Sequence, residues 1–498
     1  TAYSRQWMAD QRSSFFSLLS KDDWIYTGIL GGSFLLSILL RFVFTGRSLY
    51  GVLKYSPGFI GFSVALALLG WKIVYSIPIA LFSSIAIKYG KAGDNHQMPL
   101  LVFSVVFIYL LFTRHLHEFF PVPELASQAN ALQLIITLRA IGLAYDVGDS
   151  RFDRLNPGQS RRKRHLESDP DLLMMFNYLY HFCGLFTGPY YSYQMFLDSC
   201  DSQAAPFHEN YLKTGLFSEY TWRLKQLAWS LPIFIITNKL FPLDGLRTDD
   251  VFVWSFFYKL IYAAAVFTVF RMRVYAAWSI SECMCVTLNI GIYPDSSAPK
   301  CVVGPTNIDE FKKGWRDGTT TANSVAIQNI DVPEVEASDG FRAGIRGWNR
   351  SVQTWLALYV HSRSPKATRM VLTMFVSALW HGTYAGYFMS FLVVPICTAA
   401  EDVLFRFFPK GENGERNKTF LRVYWLTLRT RGFDFMATGF LLKNWHDTHR
   451  LWSSVYYWIP ITMIVVYFVA SALDSITGKE KKRSEESIDP KEESIKSE

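Results

Sequence analysis

The chain has 498 residues, half of them apolar, with 40 Phe, 26 Tyr and 15 Trp. The apolar residues gather in runs of about 18 or more, which call for a hydrocarbon solvent and exclude a soluble multidomain protein. The net charge of +8 sits in short hydrophilic gaps, a topological pattern that gives no reason to expect nucleic-acid binding.

In chain order, the first predicted segment is 24–44, which lacks a cleavage-site signature and reads as a span, not a signal peptide. Segment 58–87 is long enough for one tilted or two short helices, with Pro78 as the candidate break. Segment 100–112 is short, 126–145 carries Gln and Arg, and 172–197 has no Asp, Glu, Lys or Arg. Then come 227–241, 251–270, 274–292, 355–360, 370–400, 423–442 and 452–473. The expected fold is an all-α polytopic membrane protein of about ten to twelve transmembrane or re-entrant helices. Residues 1–477 form one membrane domain and 478–498 a disordered, charged tail. Lys479, Lys481, Lys482 and Arg483 put that tail in the cytosol. The basic run Arg161-Arg162-Lys163-Arg164 puts the gap 151–171 on the same side. The stretch 299–350 is too long for a simple connector.

The six cysteines lie in or beside apolar segments and read as reduced packing residues. Cys283-Met284-Cys285 lacks the spacing of a zinc or redox pair, and no metal site is expected. Among the histidines, His115, His117, His446 and His449 read as interfacial. His181 is mid-segment, either a structural histidine or part of a tunnel wall. His381, in "SALWHGTYAGYF", lies far from either end of its apolar run, and Gly382 and Gly386 let backbone or ligand approach it. Upstream is "GWNRSVQTWLALYVHS", residues 347–362. On a helix it would carry Trp348, Ser351 and Trp355 on one face, and Asn349, Val352 and Gln353 on another. Ionisable groups in such surroundings are functional candidates, in catalysis or in an ion relay.

"WNRSVQTWL" followed by "SALWHGTYAGYF" resembles the paired signature of the membrane-bound O-acyltransferases. Outside the pair, "GLFTGPYYSYQMF", "WSISECMCVTLNIGIYP" and "NIDVPEVEAS" resemble the lysophospholipid acyltransferase branch, and "TLRTRGFDFMATGF" adds to a likeness to its lysophosphatidylinositol acyltransferases. The resemblance implies helices around an internal tunnel, and transfer of a polyunsaturated acyl chain, such as arachidonoyl, from acyl-CoA to a lysophospholipid sn-2 hydroxyl. The implied setting is the endoplasmic reticulum membrane. No bound cofactor is expected; acyl-CoA is a co-substrate. Lysophosphatidylinositol is the preferred acceptor, with the choline, ethanolamine and serine lysophospholipids as alternatives.

His381 is then the expected general base, since desolvation disfavours a charged imidazole. Asn349 is expected to bond the oxyanion or to orient the hydroxyl or the imidazole. Trp348, Gln353, Trp380, Tyr384, Arg350 and His181 are the expected substrate-binding residues. Arg350, Lys312, Lys313 and Arg316 are candidates for the coenzyme A phosphates. A reading of another class is a proton-coupled transporter using His381 and His181. It calls for acidic residues paired within spans and for internal symmetry, and neither stands out.

Overall fold

In a bilayer each backbone N–H and C=O must find its partner inside the protein, so an apolar chain folds into helices. The computed structural model describes residues 19–44, 46–90, 97–156, 164–317, 321–411 and 414–488. Residues 161–163 of the basic run and 489–498 of the tail lie outside them. Among the described residues the protein is all-α, and its named strands are one two-residue pair, Tyr293–Pro294 with Ala322–Asn323. The chain divides into two compact units. One comprises Thr1–Leu240, Thr268–Val332 and Gly347–Thr383; the other comprises Phe241–Phe267, Pro333–Arg346 and Tyr384–Glu498. Seven helical stretches among the described residues, one of them the composite Pro57–Tyr89, are long and apolar enough to cross a membrane.

The first unit opens with α1 (Lys21–Val43), whose start is a capping box between Ser20 and Asp23. Next come α2 (Pro57–Leu69) and α3 (Ile77–Tyr89), joined by a 3₁₀ turn, Gly70–Ser76. Segment 58–87 is therefore two helices, with Pro78 in the first turn of the second, where its missing N–H costs nothing. Helix α4 (Gln97–Phe119) runs well past the short segment expected at 100–112. Its polar end is not waste: Arg114 and His115 both find partners within the unit. Helix α5 (Ser127–Leu155) is the buried centre, with most of its length inside the protein.

The uncharged segment 172–197 is not a span. Helix α6 (Leu172–Leu179) stops after 8 residues, and the chain turns through Gly184, Gly188 and Pro189. Exposed to lipid, such irregular backbone would leave unsatisfied carbonyls. Arg139 of α5, fully buried, supplies the donors: its guanidinium reaches the carbonyls of Tyr178 (3.3 Å), Leu179 (3.2 Å), His181 (2.8 Å) and Cys183 (2.7 Å). A cation at a helix C-terminus also meets the negative end of its dipole. Helix α2 packs on this turn so closely that a Cβ at Gly61 would lie 1.8 Å from the Tyr180 carbonyl oxygen.

Helix α7 (Phe256–Thr287) is one helix of 32 residues where two spans, 251–270 and 274–292, were expected. The apolar run 370–400 is likewise divided differently. After α8 (Arg350–Tyr359) come α9 (Arg369–His381) and, in the second unit, α10 (Ala385–Phe407). That unit adds α11 (Thr430–Leu442) and α12 (Trp458–Ile488), which runs into the segment expected as a disordered tail. Gly386 serves helix packing within that unit: a Cβ there would lie 2.3 Å from Gly439 O of α11.

Candidate active site

His381 is the last residue of α9 and Asn349 the N-cap of α8. The apolar run therefore breaks just after the imidazole, and His381 sits at a helix end and not at mid-span. Asn349 is not on a helix face either. Its backbone is left-handed (φ 45°, ψ 50°), a conformation asparagine tolerates better than most residues. Trp348 also precedes the helix. Both His381 and Asn349 are partly accessible.

Helix α5 sets the position of both ends. Trp380, beside His381, donates its indole N–H to Leu134 O at 3.2 Å, and Trp355 of α8 donates to Leu138 O at 3.0 Å. These carbonyls lie one helical turn apart. Two further bonds fix the register: Tyr359 to Asp146 (2.8 Å) and Arg363 to Asp149 (2.6 Å). The end of α9 is also clamped by Arg114, which donates to Leu379 O (3.0 Å), Trp380 O (2.7 Å) and Asn130 Oδ1 (3.0 Å). His115 reaches Thr383 Oγ1 at 2.7 Å, so it belongs to this corner and is not merely interfacial. The Trp380 ring meets the imidazole edge-on, 4.6 Å between centroids.

The remaining segments meet the residues on either side of Asn349. Trp348 is ringed by Phe270, Tyr275 and Trp278 at 5.9, 6.2 and 5.6 Å. Trp278 donates to Thr187 O at 3.0 Å, and Ser281 donates to Gly188 O. On the other side of that turn, the Tyr190 amide donates to Ser351 Oγ at 3.1 Å. Gln353 donates to Trp348 O, and Arg350 to Gln328 Oε1 at 2.8 Å. His181 is buried; its Nδ1 accepts the Cys183 amide at 3.2 Å, closing its own turn. Tyr384 belongs to the second unit, half exposed, near Tyr387 and Lys443.

Two cavities follow the C-terminal end of α5. The smaller, about 250 Å³, is lined by Asp146, Leu358 and Tyr359 and shares Arg164, His165 and Gln194 with the larger. The larger, about 830 Å³, is lined by Lys54, Arg164, Lys312 and Arg316 and by Glu167, Asp198 and Asp201, over Phe311 and Trp315. Four cations against three carboxylates make it much less basic than the sequence suggested, and Arg350 and Lys313 do not line it. Arg164 makes a bidentate pair with Asp198 at 2.5 and 2.6 Å. Burial works against its charge, but the Asp198 carboxylate prevails and holds the guanidinium proton more tightly than usual. Among the described residues no cluster of His, Cys, Asp and Glu could hold a metal ion.

Sequence reasoning passed over Arg114, Arg139, Glu282 and Asn329. Arg139 and Glu282, each a charge inside an expected apolar segment, gave the usable signals. Residues 16–419 match the membrane-bound O-acyltransferase family model. The chain is 48% identical over 461 residues to the membrane-bound acylglycerophosphatidylinositol O-acyltransferase mboa-7 of Caenorhabditis elegans, covering 92% of this chain and 97% of the relative. It is 32% identical over 492 residues to mboat7 of Danio rerio, covering 96% and 99%, and 29% identical over 473 residues to human MBOAT7, covering 91% and 95%. Both relatives carry the same acylglycerophosphatidylinositol O-acyltransferase name. The match leaves the transporter reading without support: this chain is a polytopic enzyme of the membrane-bound O-acyltransferase family.

Proposed function

We propose that the protein transfers an acyl chain from acyl-CoA to the sn-2 hydroxyl of lysophosphatidylinositol, in the endoplasmic reticulum membrane. The activity named for relatives that align along nearly the whole chain supports the acceptor. The observation that carries the site is the attachment of Trp380 and Trp355 to carbonyls one turn apart on α5.

In this reading the neutral His381 imidazole takes the proton of the lipid hydroxyl as its oxygen attacks the thioester carbonyl carbon. The carbonyl oxygen becomes an oxyanion, which the Asn349 amide stabilises by donating a hydrogen bond. The C–S bond then breaks, the ester forms, and the thiolate recovers the proton from the imidazolium. A thiolate leaves readily, so no acyl-enzyme is required. All six cysteines are buried, which suits direct transfer. The larger cavity suits the donor's headgroup, with Lys54, Lys312 and Arg316 toward its phosphates.

The test is acyl transfer by purified protein against a panel of lysophospholipids. His381→Ala is expected to lower kcat by about 10²–10⁴; near wild-type turnover refutes the base assignment. Lys312→Glu is expected to raise KM for acyl-CoA about fivefold with kcat unchanged; an unchanged KM removes the donor from that cavity. Preference for another headgroup would keep the chemistry and change the acceptor.

A further inference from the structure

An asparagine at an N-cap ordinarily turns its side-chain oxygen back to accept the amide of the second or third helical residue. Asn349 holds the N-cap position, since its carbonyl accepts the Gln353 amide at 3.1 Å. Yet its side chain makes no capping bond. The left-handed backbone accounts for this, because a capping residue normally needs an extended one.

The amides it leaves are taken by Asn329. The Asn329 carbonyl accepts from Arg350 N at 2.8 Å, and its Oδ1 accepts from Ser351 N at 3.1 Å. Asn329 is held in turn, its own amide donating to Glu282 Oε1 at 2.8 Å. The other Glu282 oxygen accepts from Arg223 Nε at 2.9 Å, and Arg223 also reaches Glu219 (2.5 Å) and Ser324 (2.8 Å). Asn329, Glu282 and Arg223 are all at most 1 % exposed. A buried ion pair is weak evidence for stability in itself; here it ends on Asn329, which caps α8.

We infer that Asn329, backed by Glu282, is a surrogate N-cap that frees the Asn349 amide for the reaction. Both are positioning residues, and their role rests on the reading of Asn349 given above. Without the Asn329 oxygen, the Ser351 amide is an orphan at a helix end. The uncapped end then favours an extended Asn349 backbone, from which that residue can cap in the ordinary way, and its amide turns away from the reacting carbonyl.

The experiment compares Asn329→Ala, Asn329→Asp and Asn349→Ala in the full-length protein, with kcat, both KM values and thermal stability measured together. Asn329→Ala is expected to lower kcat about 10- to 100-fold with both KM values within about twofold of wild type. Asn329→Asp keeps an oxygen in place and is expected to return kcat to within about threefold. In an Asn349→Ala background, Asn329→Ala is expected to cost no more than about twofold further, because no amide remains to be positioned. A merely structural role predicts the reverse: lower thermal stability, unchanged kcat per folded molecule and independent effects. If Asn329→Ala does not fold, Glu282→Gln decides. A severalfold loss of kcat at unchanged KM supports the inference, and wild-type kcat overturns it. Should Asn349→Ala itself turn over normally, the reading of Asn349 falls first and takes the inference with it. An inactive Asn349→Ala beside a fully active Asn329→Ala overturns the inference alone.

Discussion

Helices α1 and α5 are both long and apolar enough to span a membrane, yet they are built for different solvents. In α1 the side chains of Leu35, Leu39 and Phe42 stand on the outer surface, and Leu30, Ser33 and Ser37 are the buried ones. Helix α5 buries Arg139, Asp146, Asp149, Arg151 and Asp153 along with its leucines and isoleucines. By mean hydropathy α1 scores higher. That score measures fitness for lipid, whereas the solvent of α5 is the rest of the protein. Its charges are tolerated because they are matched. Arg151, for example, pairs with Asp169 at 2.8 Å and bonds the carbonyls of Ile87 and Gly90 at the end of α3.

The strongest way to break the contrast is to remove the Arg139 guanidinium. Arg139→Leu keeps an apolar side chain on α5 but takes the guanidinium from four carbonyls around the α6 turn, of which Tyr178 O keeps the His181 amide and Cys183 O the Tyr191 hydroxyl. Each buried, unpaired polar group costs about 1–3 kcal/mol, partly relieved by rearrangement. The expected loss is therefore about 3–5 kcal/mol, read as a large drop in the thermal midpoint in detergent, with poor recovery of monodisperse protein. A midpoint near wild type would mean that the turn finds other donors, and that α5 is less of a scaffold than its burial implies.

The same contrast explains what could be read from the chain. Lipid-facing helices announce themselves, and the expected spans at 24–44 and 452–473 overlap α1 and α12. The paired motif singles out His381 and Asn349 as candidates without any structure, because side-chain chemistry can be read from a sequence. The residues that hold them act on backbone. Arg114 clamps the carbonyls before His381, Arg139 ties down a turn, and Asn329 caps α8 through two amides. A hydropathy pattern carries no record of which carbonyls need a donor. It also could not show that 370–400 breaks after His381, since the run stays apolar across the break.

A subtler substitution sharpens the comparison. Trp380→Phe keeps an aromatic ring beside the imidazole and removes only the N–H that reaches Leu134 O. The lost hydrogen bond is worth about 0.5–1.5 kcal/mol, so the thermal midpoint should fall by only a few degrees. Turnover should suffer more, because the bond lies one residue from His381 and sets where the end of α9 meets α5. A loss of kcat of about fivefold is expected, with KM for both substrates unchanged. Leu39→Ala on the outer face of α1 is the matched control, at most about 0.5 kcal/mol in stability and nothing in kcat. Equal effects from the two would mean that His381 does not depend on α5 for its position, and the distinction between a lipid-facing helix and a site-building one would lose its functional content.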